Sequence, residues 1–285
     1  MTSAADFRVL RRGHLPPLLR AIHDPPARLF IRGDGELDLL ERHLVAVVGA
    51  RSCSAYGTSV ARAFGRALGQ AGAVVVSGLA RGVDAGAHRG ALEAGAPTVA
   101  VLGCGIDRDY PAAHAELART IADSGLILSE YEPGVEPAPW RFPARNRIIA
   151  GLCRTTIVVE ARARSGALIT ADFALEEGRD VLAVPGEITS ALSEGTNHLI
   201  RLGALPVTSV ADTIELLGLV ASRPLGTPLA APADAVFERI RTGPADVDAL
   251  AQGLGLSAAE VAAALVELEL AGLVVSVEGV FRVAA

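Results

Sequence analysis

Six short, nearly continuous apolar runs alternate with segments of helical length from Val45 onward, and this alternation constrains the fold more than any other feature of the chain. Continuous apolar runs are typical of strands in a parallel sheet that is covered on both faces. Right-handed crossovers between such strands give a doubly wound α/β domain with its site at the carboxyl ends of the strands. The runs are VAVVG (45–49), AVVVSG (73–78), TVAVLG (98–103), GLILSE (125–130), TTIVVE (155–160) and DVLAVPG (180–186).

Two changes in pattern divide the chain. Residues 1–44 lack the alternation and predict a short N-terminal extension, with a short helix, a Pro-rich turn and an edge strand, ahead of the α/β domain at 45–222. The stretch RPLGTPLAAP at 223–232 is typical of a linker. Residues 233–285 predict three helices followed by a hairpin, which resembles a small winged-helix domain.

Composition excludes several classes of protein. The cysteines Cys53, Cys104 and Cys153 are widely spaced and form no CxxC pair, which argues against a disulfide framework and against a zinc site. No apolar run approaches the roughly 20 residues that span a bilayer, and the N-terminus lacks the apolar core of a signal sequence. We therefore expect a cytoplasmic protein with no membrane partner and no bound metal.

Positive charge is concentrated in one segment of an acidic chain. The net charge is −6, yet six arginines and one acid, Glu160, lie between Arg141 and Arg164. Every basic residue is an arginine, whose planar guanidinium can bind two phosphate oxygens at once. Positive charge gathered beside Gly-rich and Ser-rich turns predicts a site for a polyanion.

The C-terminal unit has the opposite charge. Residues 233–285 hold eight acids and three arginines, and the helix after Ser257 carries Glu260, Glu267 and Glu269 without a cation. Phosphates would repel a recognition helix of that sign. The charge favours a protein-contact or regulatory role for this unit.

Three strand-end turns have the composition of anion sites. Glycines let the backbone approach a ligand closely, and free N–H groups at the start of a helix attract anions. The turns contain Gly49, Arg51 and Ser52; Ser77, Gly78 and Arg81; and Arg164, Ser165 and Gly166. The first is not GxGxxG, and the second strand ends in SGLARG rather than in a ribose-binding acid, so we expect no nicotinamide, flavin or other cofactor.

The segment WRFPARNR adds aromatic rings to this charge. Trp140 and Phe142 lie beside arginines, and bases can stack on such rings while cations hold the backbone of a single strand. Trp140 could equally well cap the core. The helix that follows is expected to present Arg145, Asn146 and Arg147 at its first turn, with Ile148, Ile149 and Leu152 buried.

Four titratable residues are candidate acids or bases for an alternative, catalytic function. Asp84 and His88 are four apart on a helix and could form an acid/base pair, but no nucleophile lies nearby in sequence. We therefore favour a capping carboxylate and a structural histidine. Glu160 and Glu187, each at the end of a strand, are the other candidate acids.

The order of these motifs resembles one family. GARSCSAYG, SGLARGVDAGAH, VLGCGIDRDYP, SEYEPG, FPARNRIIAGL, VVEARARSGALITA, VLAVPG and GTNHLIRLGA look like DNA-processing protein A, also called Smf, from about Pro25 to Leu217. The resemblance implies an extended Rossmann-like fold that dimerises, binds single-stranded DNA without catalysis and helps load RecA recombinase during natural transformation. It also implies which residues contact the DNA: Arg51, Ser52, Ser77, Gly78, Arg81, Phe142, Arg145, Asn146, Ser165 and Gly166. Members often use lysine in this groove, where the present chain can offer only arginine.

Two other functions are retained as alternatives. A related Rossmann-like group hydrolyses nucleoside monophosphates, but the turns RARSGALIT and PGEITS do not reproduce its PGGxGTxxE motif. A winged-helix transcription factor would rest on the C-terminal unit alone and conflicts with its charge.

Overall fold

A nine-stranded sheet organises the larger part of the protein in a computed structural model that describes residues 7–219, 231–270, 273–277 and 279–283. The spatial order of its strands is β1-β2-β6-β5-β4-β3-β7-β8-β9. The strands are β1 (Arg8–Arg11), β2 (Arg28–Arg32), β3 (Leu44–Val48), β4 (Val74–Ser77), β5 (Thr98–Leu102), β6 (Leu126–Ser129), β7 (Thr155–Val158), β8 (Asp180–Ala183) and β9 (Leu205–Pro206). The strands from β3 to β9 pair in parallel, which confirms the predicted doubly wound class.

Helices follow most strands of the sheet and pack on its faces. Their starts have local causes: the side chain of Ser54 caps α2 by accepting from the N–H of Gly57, and Ser165 caps α6 by accepting from the N–H of Ala167. The helices of this unit are α1 (Pro17–Arg20), α2 (Ala55–Gln70), α3 (Val83–Glu93), α4 (Ala115–Ser124), α5 (Arg141–Leu152), α6 (Gly166–Glu176), α7 (Glu194–Arg201) and α8 (Val210–Leu216).

Both faces of the sheet are buried. On β5, Val99 and Val101 belong to one apolar cluster, while the alternating Ala100 and Leu102 belong to another. Successive side chains of a strand point to opposite faces, so a strand covered on both sides must be apolar throughout. This is why the six predicted runs lack polar alternation.

The order in which strands are added to the sheet changes direction between β3 and β7. From β3 it proceeds through β4, β5 and β6 on one side, then returns to add β7, β8 and β9 on the other. β3 and β7 are parallel neighbours, with Ala46 beside Thr156. Their carboxyl ends therefore lie next to one another, and the chains leaving them diverge and open a crevice.

The N-terminal segment completes this sheet. β2 pairs antiparallel with β6, with Phe30 opposite Ser129, and β1 pairs antiparallel with β2. The predicted edge strand is thus two strands, and the first compact unit runs from Met1 to Thr213. The sequence boundary placed before Val45 does not coincide with a boundary between compact units.

The second compact unit, Ile214–Ala285, contains the winged-helix domain. It consists of α9 (Ala231–Arg241), α10 (Val247–Leu254), α11 (Ala258–Leu270) and an antiparallel hairpin of β10 (Val274–Val277) and β11 (Val280–Val283). Phe237, Leu250, Val261 and Leu268 are buried in its core. The predicted linker at 223–232 lies almost wholly outside the described residues.

The helices in the described ranges are short compared with a membrane span. No single helix there is both long and apolar enough to cross a bilayer. The pair Val247–Leu254 and Ala258–Glu269 passes only when the two are taken together, by length and composition, and is bent by 114°.

Candidate functional site

A cavity of about 570 Å³ lies where β3 and β7 end. It is walled by the turn after β3, the start of α5, and the turn between β7 and α6, so the topology of the sheet brings together segments that are distant in sequence. A smaller cavity of about 170 Å³ shares residues with it and extends toward the turn after β4. Both cavities are lined by Arg51, Ala80, Tyr110, Phe142 and Arg145.

The turn after β3 is held in place by Glu160, which follows β7. Its two carboxylate oxygens accept from the N–H of Ser54 at 2.8 Å and from the hydroxyl of Ser54 at 2.6 Å. A Cβ at Gly57 would collide with the same carboxylate, so a glycine is needed there. The only acid in the positive segment is therefore a structural link that leaves Arg51 and Ser52 exposed at the cavity.

The turn after β4 is ordered by Asp84, in the first turn of α3. Its carboxylate accepts from the N–H groups of Gly78 at 3.1 Å and Ala80 at 3.3 Å. Burial raises the pKa of this carboxyl group, against the opposing influence of Arg145 and the two N–H donors. Gly82 has φ +76°, and a Cβ on it would collide with the carbonyl of Ala50, so only glycine lets this turn reach the first one.

His88 is a structural residue, as the sequence favoured. Its Nδ1 lies 2.8 Å from the hydroxyl of Thr98, which itself donates to the carbonyl of Val75. Nδ1 must therefore be the donor, and Nε2 is buried without a hydrogen-bond partner in the described part of the chain. Burial lowers the pKa of His88 to about 3. Asp84 and His88 each have structural partners of their own, which favours the structural interpretation over an acid/base pair.

Arg145 faces the inside of the protein, and only 4% of its surface is exposed. Nη1 donates to the carbonyls of Gly78 and Val101, at the ends of β4 and β5, and Nε donates to Asn146. A Cβ at Gly78 would lie 2.6 Å from Nη2 and 2.7 Å from the carboxylate of Asp84. Burial lowers the pKa of Arg145 to about 10, which leaves it charged at neutral pH.

Asn146 connects α5 to the start of α6. Its amide Nδ2 donates to the carbonyl of Gly166 at 3.0 Å, while Oδ1 accepts from Arg145. This bond positions the first turn of α6, where Ser165, Gly166 and Ala167 line the larger cavity. The predicted helix start at Ser165 is confirmed.

Arg145 and Asn146, predicted to be presented at the first turn of α5, are instead buried and bound by the protein, and three further predicted contact residues do not offer the groups expected of them. The hydroxyl of Ser77 is fully buried and donates to the carbonyl of Val47, so a phosphate contact by Ser77 is wrong. Gly78 uses its N–H on Asp84 and its carbonyl on Arg145. Arg147 is paired with Asp24 at 2.9 Å and Glu130 at 2.7 Å, so it is not presented to a ligand.

Four exposed arginines surround the cavities. Arg51, Arg162 and Arg164 line the larger one, and Arg81 lines the smaller one. None of the four forms an ion pair with an acid in the described ranges. Arg162 belongs to the positive segment but is not among the predicted site residues. It lies two residues before Arg164 in the same turn, and that spacing could have indicated a second arginine at the cavity.

Aromatic rings form one side of the same space. The rings of Phe142 and Tyr110 stack with centroids 5.3 Å apart, and the guanidinium of Arg51 lies 5.0 Å from the centroid of Phe142. Tyr110 is not among the predicted site residues, because its contribution depends on a contact with Phe142 across 32 residues that sequence does not reveal. Trp140 is 62% exposed, which excludes the interpretation that it caps the core.

The site therefore has two layers of polar groups with different surroundings. The floor consists of the buried side chains of Ser77, Asp84, Arg145 and Asn146, which bond to the protein itself. The rim consists of the exposed arginines Arg51, Arg81, Arg162 and Arg164. An anion entering the cavity would meet guanidinium groups and the N-terminus of α6 before it met a carboxylate.

The last strand-end turn lies outside this arrangement. Gly186 and Asn197 bond to each other through both backbone groups of the glycine, at 3.2 and 3.0 Å, and neither lines the cavities described above. The turn after β8 is thus not part of the site. Within the described residues, His, Cys, Asp and Glu side chains form no group of three that could hold a metal ion.

Two family models match the chain along most of its length. The model described as DNA recombination-mediator protein A matches residues 7–218, and the one described as DprA winged helix domain matches residues 220–280. The chain is 50% identical to DNA processing protein DprA of Streptococcus pneumoniae over 69% of its own length and 68% of that protein. It is 40% identical to a putative DNA processing protein DprA of Mycobacterium tuberculosis over 99% of its own length and 72% of that protein.

Two solved structures share the fold at substantial identity. The X-ray structure of DNA processing protein A from Streptococcus pneumoniae has a TM-score of 0.69 at 48% identity, covering 74% of each chain. DNA processing protein A from Helicobacter pylori, whose structure was described for its single-stranded DNA binding mode, also has a TM-score of 0.69. Its identity is 32%, and the match covers 76% of this chain and 98% of that one.

Proposed function

The chain belongs to the DNA recombination-mediator protein A family, and from that premise we propose that it binds single-stranded DNA in the cavity at the carboxyl ends of β3 and β7. The observation that carries the proposal is the rim of unpaired arginines around this cavity, beside the N-terminus of α6. The Helicobacter pylori relative, described as a single-stranded DNA binder, supports it.

The geometry favours a single strand over a duplex. Phe142 and Tyr110 present aromatic surface beside Arg51, and bases can stack on such rings only when they are not enclosed in a double helix. The rim arginines would hold phosphates without reading base edges. Binding should therefore depend strongly on salt and little on base identity.

The protein acts without catalysing a reaction in this proposal. The phosphoribohydrolase alternative needs an acid near the leaving base, and Glu160 was a candidate for that role. Glu160 is buried, and both its oxygens accept hydrogen bonds from Ser54, so it supports the turn after β3. Incubation with nucleoside monophosphates should release no free base.

A titration of the full chain with labelled oligonucleotides tests the central proposal. We expect the protein to bind a single strand more tightly than a duplex of the same length, and the affinity to vary little among sequences without secondary structure. Tighter binding to the duplex would contradict the assignment. The same titration at several salt concentrations reports how many phosphates are held.

We propose that the binding of single-stranded DNA serves to load RecA recombinase onto incoming strands. This would take place in the cytoplasm during natural transformation. This role is supported by family membership alone. The test is RecA filament formation on single-stranded DNA that is already coated with a single-strand-binding protein. Addition of this protein should shorten the lag before the filament assembles, and an unchanged lag would exclude the role.

Self-association into a homodimer is also proposed. Leu175, Leu202 and Leu205 are exposed and line a groove of about 220 Å³ beside β9, the edge strand of the sheet. An unpaired apolar edge is stabilised when a second molecule covers it. Sedimentation velocity should show a dimer that Leu202→Glu dissociates, and a monomeric wild-type protein would refute the proposal.

We assign the winged-helix domain to protein contact rather than to DNA. In α11 the carboxylate of Glu260 accepts from the backbone and side chain of Ser257, a capping arrangement, and the domain has five more acids than arginines. Reversing the charge of Glu269, which is exposed, should leave the affinity for single-stranded DNA almost unchanged.

A further inference from the structure

A stack of two aromatic rings around one guanidinium lies at the beginning of α5. The guanidinium carbon of Arg141 is 4.7 Å from the ring centroid of Trp140 and 5.2 Å from that of Tyr131. Nη1 of Arg141 also donates to the carbonyl of Glu136, which helps to fix the guanidinium in contact with both rings. Cation–π contacts of this kind hold the indole in one orientation before any ligand arrives.

This stack adjoins the DNA cavity without being part of it. Pro139 and Phe142, on either side of the Trp140–Arg141 pair in sequence, both line the larger cavity, whereas Trp140 and Arg141 do not. Consecutive Cα atoms are about 3.8 Å apart, so Trp140 lies at the edge of the cavity next to Pro139. A strand leaving the cavity on this side would pass the indole.

The charge around the stack suits a nucleic acid. The three acids of the preceding segment are each paired with an arginine: Glu130 with Arg147, Glu132 with Arg28, and Glu136 with Arg108. Arg141 has no acidic partner in the described part of the chain, so its positive charge is uncompensated. A polyanion can therefore approach without displacing an ion pair.

The indole of Trp140 is a largely exposed apolar surface. Trp140 is 62% exposed although it is among the largest apolar side chains of the chain. The exposed leucines Leu175, Leu202 and Leu205 line a separate groove, so Trp140 does not belong to that aliphatic patch. Its recorded partner is the guanidinium of Arg141, which also contacts the ring of Tyr131, and such a setting favours the π face of a base over an aliphatic protein surface.

We infer that Trp140, held by Arg141 and Tyr131, is a second stacking platform that binds a base of the single strand outside the cavity. This inference rests on the proposed function. It extends the binding site beyond the residues that the family resemblance assigns, and it gives the stack a role as a base-binding surface with Arg141 as a positioning residue.

Trp140 is the only tryptophan in the chain, so its fluorescence reports on this platform alone. The full-length protein is titrated with an oligothymidylate longer than the roughly 4–16 nucleotides that single-strand-binding modules cover. Saturation should quench the tryptophan emission, because a base stacked on the indole deactivates its excited state. Unchanged emission in a complex that fluorescence anisotropy shows to be saturated would overturn the inference.

Substitutions test the energy of the contact. Trp140→Ala should weaken binding about 5- to 150-fold, the range observed when a stacking aromatic is truncated. Trp140→Phe should retain most of the affinity. Ile188→Ala, the matched control at another exposed apolar residue that lines neither cavity nor the leucine groove, should retain all of it. With a strand of the same length made of abasic nucleotides, Trp140→Ala should cost nothing, since only a base can stack.

The outcomes separate this inference from the proposed function. Failure of the wild-type protein to bind any single strand would overturn both. Normal binding with no effect of Trp140→Ala would overturn the platform and leave the cavity site standing. If Trp140→Ala slows RecA filament assembly while strand affinity is unchanged, the indole is a protein contact and the inference is wrong.

Discussion

The floor and the rim of the cavity contain the same kind of cation in opposite surroundings. Arg145 in the floor is buried, bonds to two backbone carbonyls and is attracted by Asp84. Arg51 and Arg164 in the rim are exposed and have no acidic partner among the described residues. A guanidinium whose donors are used by the protein shapes a site, whereas one whose donors are free can hold a ligand.

Removal of the floor arginine should have the largest effect on stability. Arg145→Ala leaves the carbonyls of Gly78 and Val101 without their donor and Asp84 without its neighbouring charge. Loss of one partner from a buried charged network costs about 3–5 kcal/mol. Urea unfolding followed by circular dichroism measures this loss. The rim variant Arg164→Ala, the control, should differ from wild type by less than about 0.5 kcal/mol; equal losses in both would remove the distinction between floor and rim.

Removal of a rim arginine should affect binding and spare the fold. Arg51→Ala and Arg164→Ala should each weaken binding to single-stranded DNA by about 1–3 kcal/mol, as expected for a charged hydrogen bond to phosphate. Arg119→Ala, at an exposed position of α4 away from both cavities, provides the matched control. If neither rim variant differs from Arg119→Ala in an anisotropy titration, the cavity is not the DNA site.

The buried side of α3 should make stability depend on pH. His88 has its pKa lowered from 6.5 to about 3, so the unfolded chain takes up a proton between these values while the folded protein does not. The contribution of neutral His88 to the free energy of unfolding is complete above pH 6.5. It is lost at up to about 1.4 kcal/mol per pH unit as the pH falls toward 3. His88→Asn should lack this component of the pH dependence. The control His23→Asn, at an exposed position, should keep it; a parallel loss in both variants would assign it to other groups.

The smallest predicted effect is on the salt dependence of binding. Each phosphate neutralised on a single strand contributes about −0.7 to the slope of log K against log salt concentration. Arg164→Ala should therefore reduce the magnitude of the slope by about 0.7, and Arg147→Ala should leave it unchanged because Arg147 is already paired with Asp24 and Glu130. Titrations at four or more salt concentrations distinguish the two; equal slopes would mean that Arg164 contacts no phosphate.

The central sheet could be predicted because its signal is local. Each of the six apolar runs became a strand, which confirms the α/β class inferred from them. The family inferred from the order of the motifs is confirmed as well. β1, with the sequence RVLR, and β9, with only Leu205 and Pro206, were missed because strands this short show no periodicity. Their existence depends on pairing with β2 and β8.

Whether each arginine side chain points to solvent or to the interior could not be predicted from the sequence. In α5 the residues from Arg145 to Leu152 are buried except Arg147, because the helix packs against the sheet, α1 and α6. A helix covered on several sides has no polar face, so charge does not indicate which side chains reach solvent. The side chain of Arg145 points inward because it donates hydrogen bonds to carbonyls of β5 and of the turn after β4. These acceptors are more than 40 residues away in sequence.

The pairing of β2 with β6 sets an order of events during synthesis on the ribosome. Phe30 cannot find Ser129 until roughly a hundred further residues have emerged, so the edge of β2 that pairs with β6 must wait unpaired in the nascent chain. Non-local pairings of this kind are slow to form and expose strands to misassembly in the interval. The antiparallel pair of β1 and β2 is thus made first by the ribosome but can join the sheet only after β6 has emerged, and in that interval a chaperone can bind its free edge.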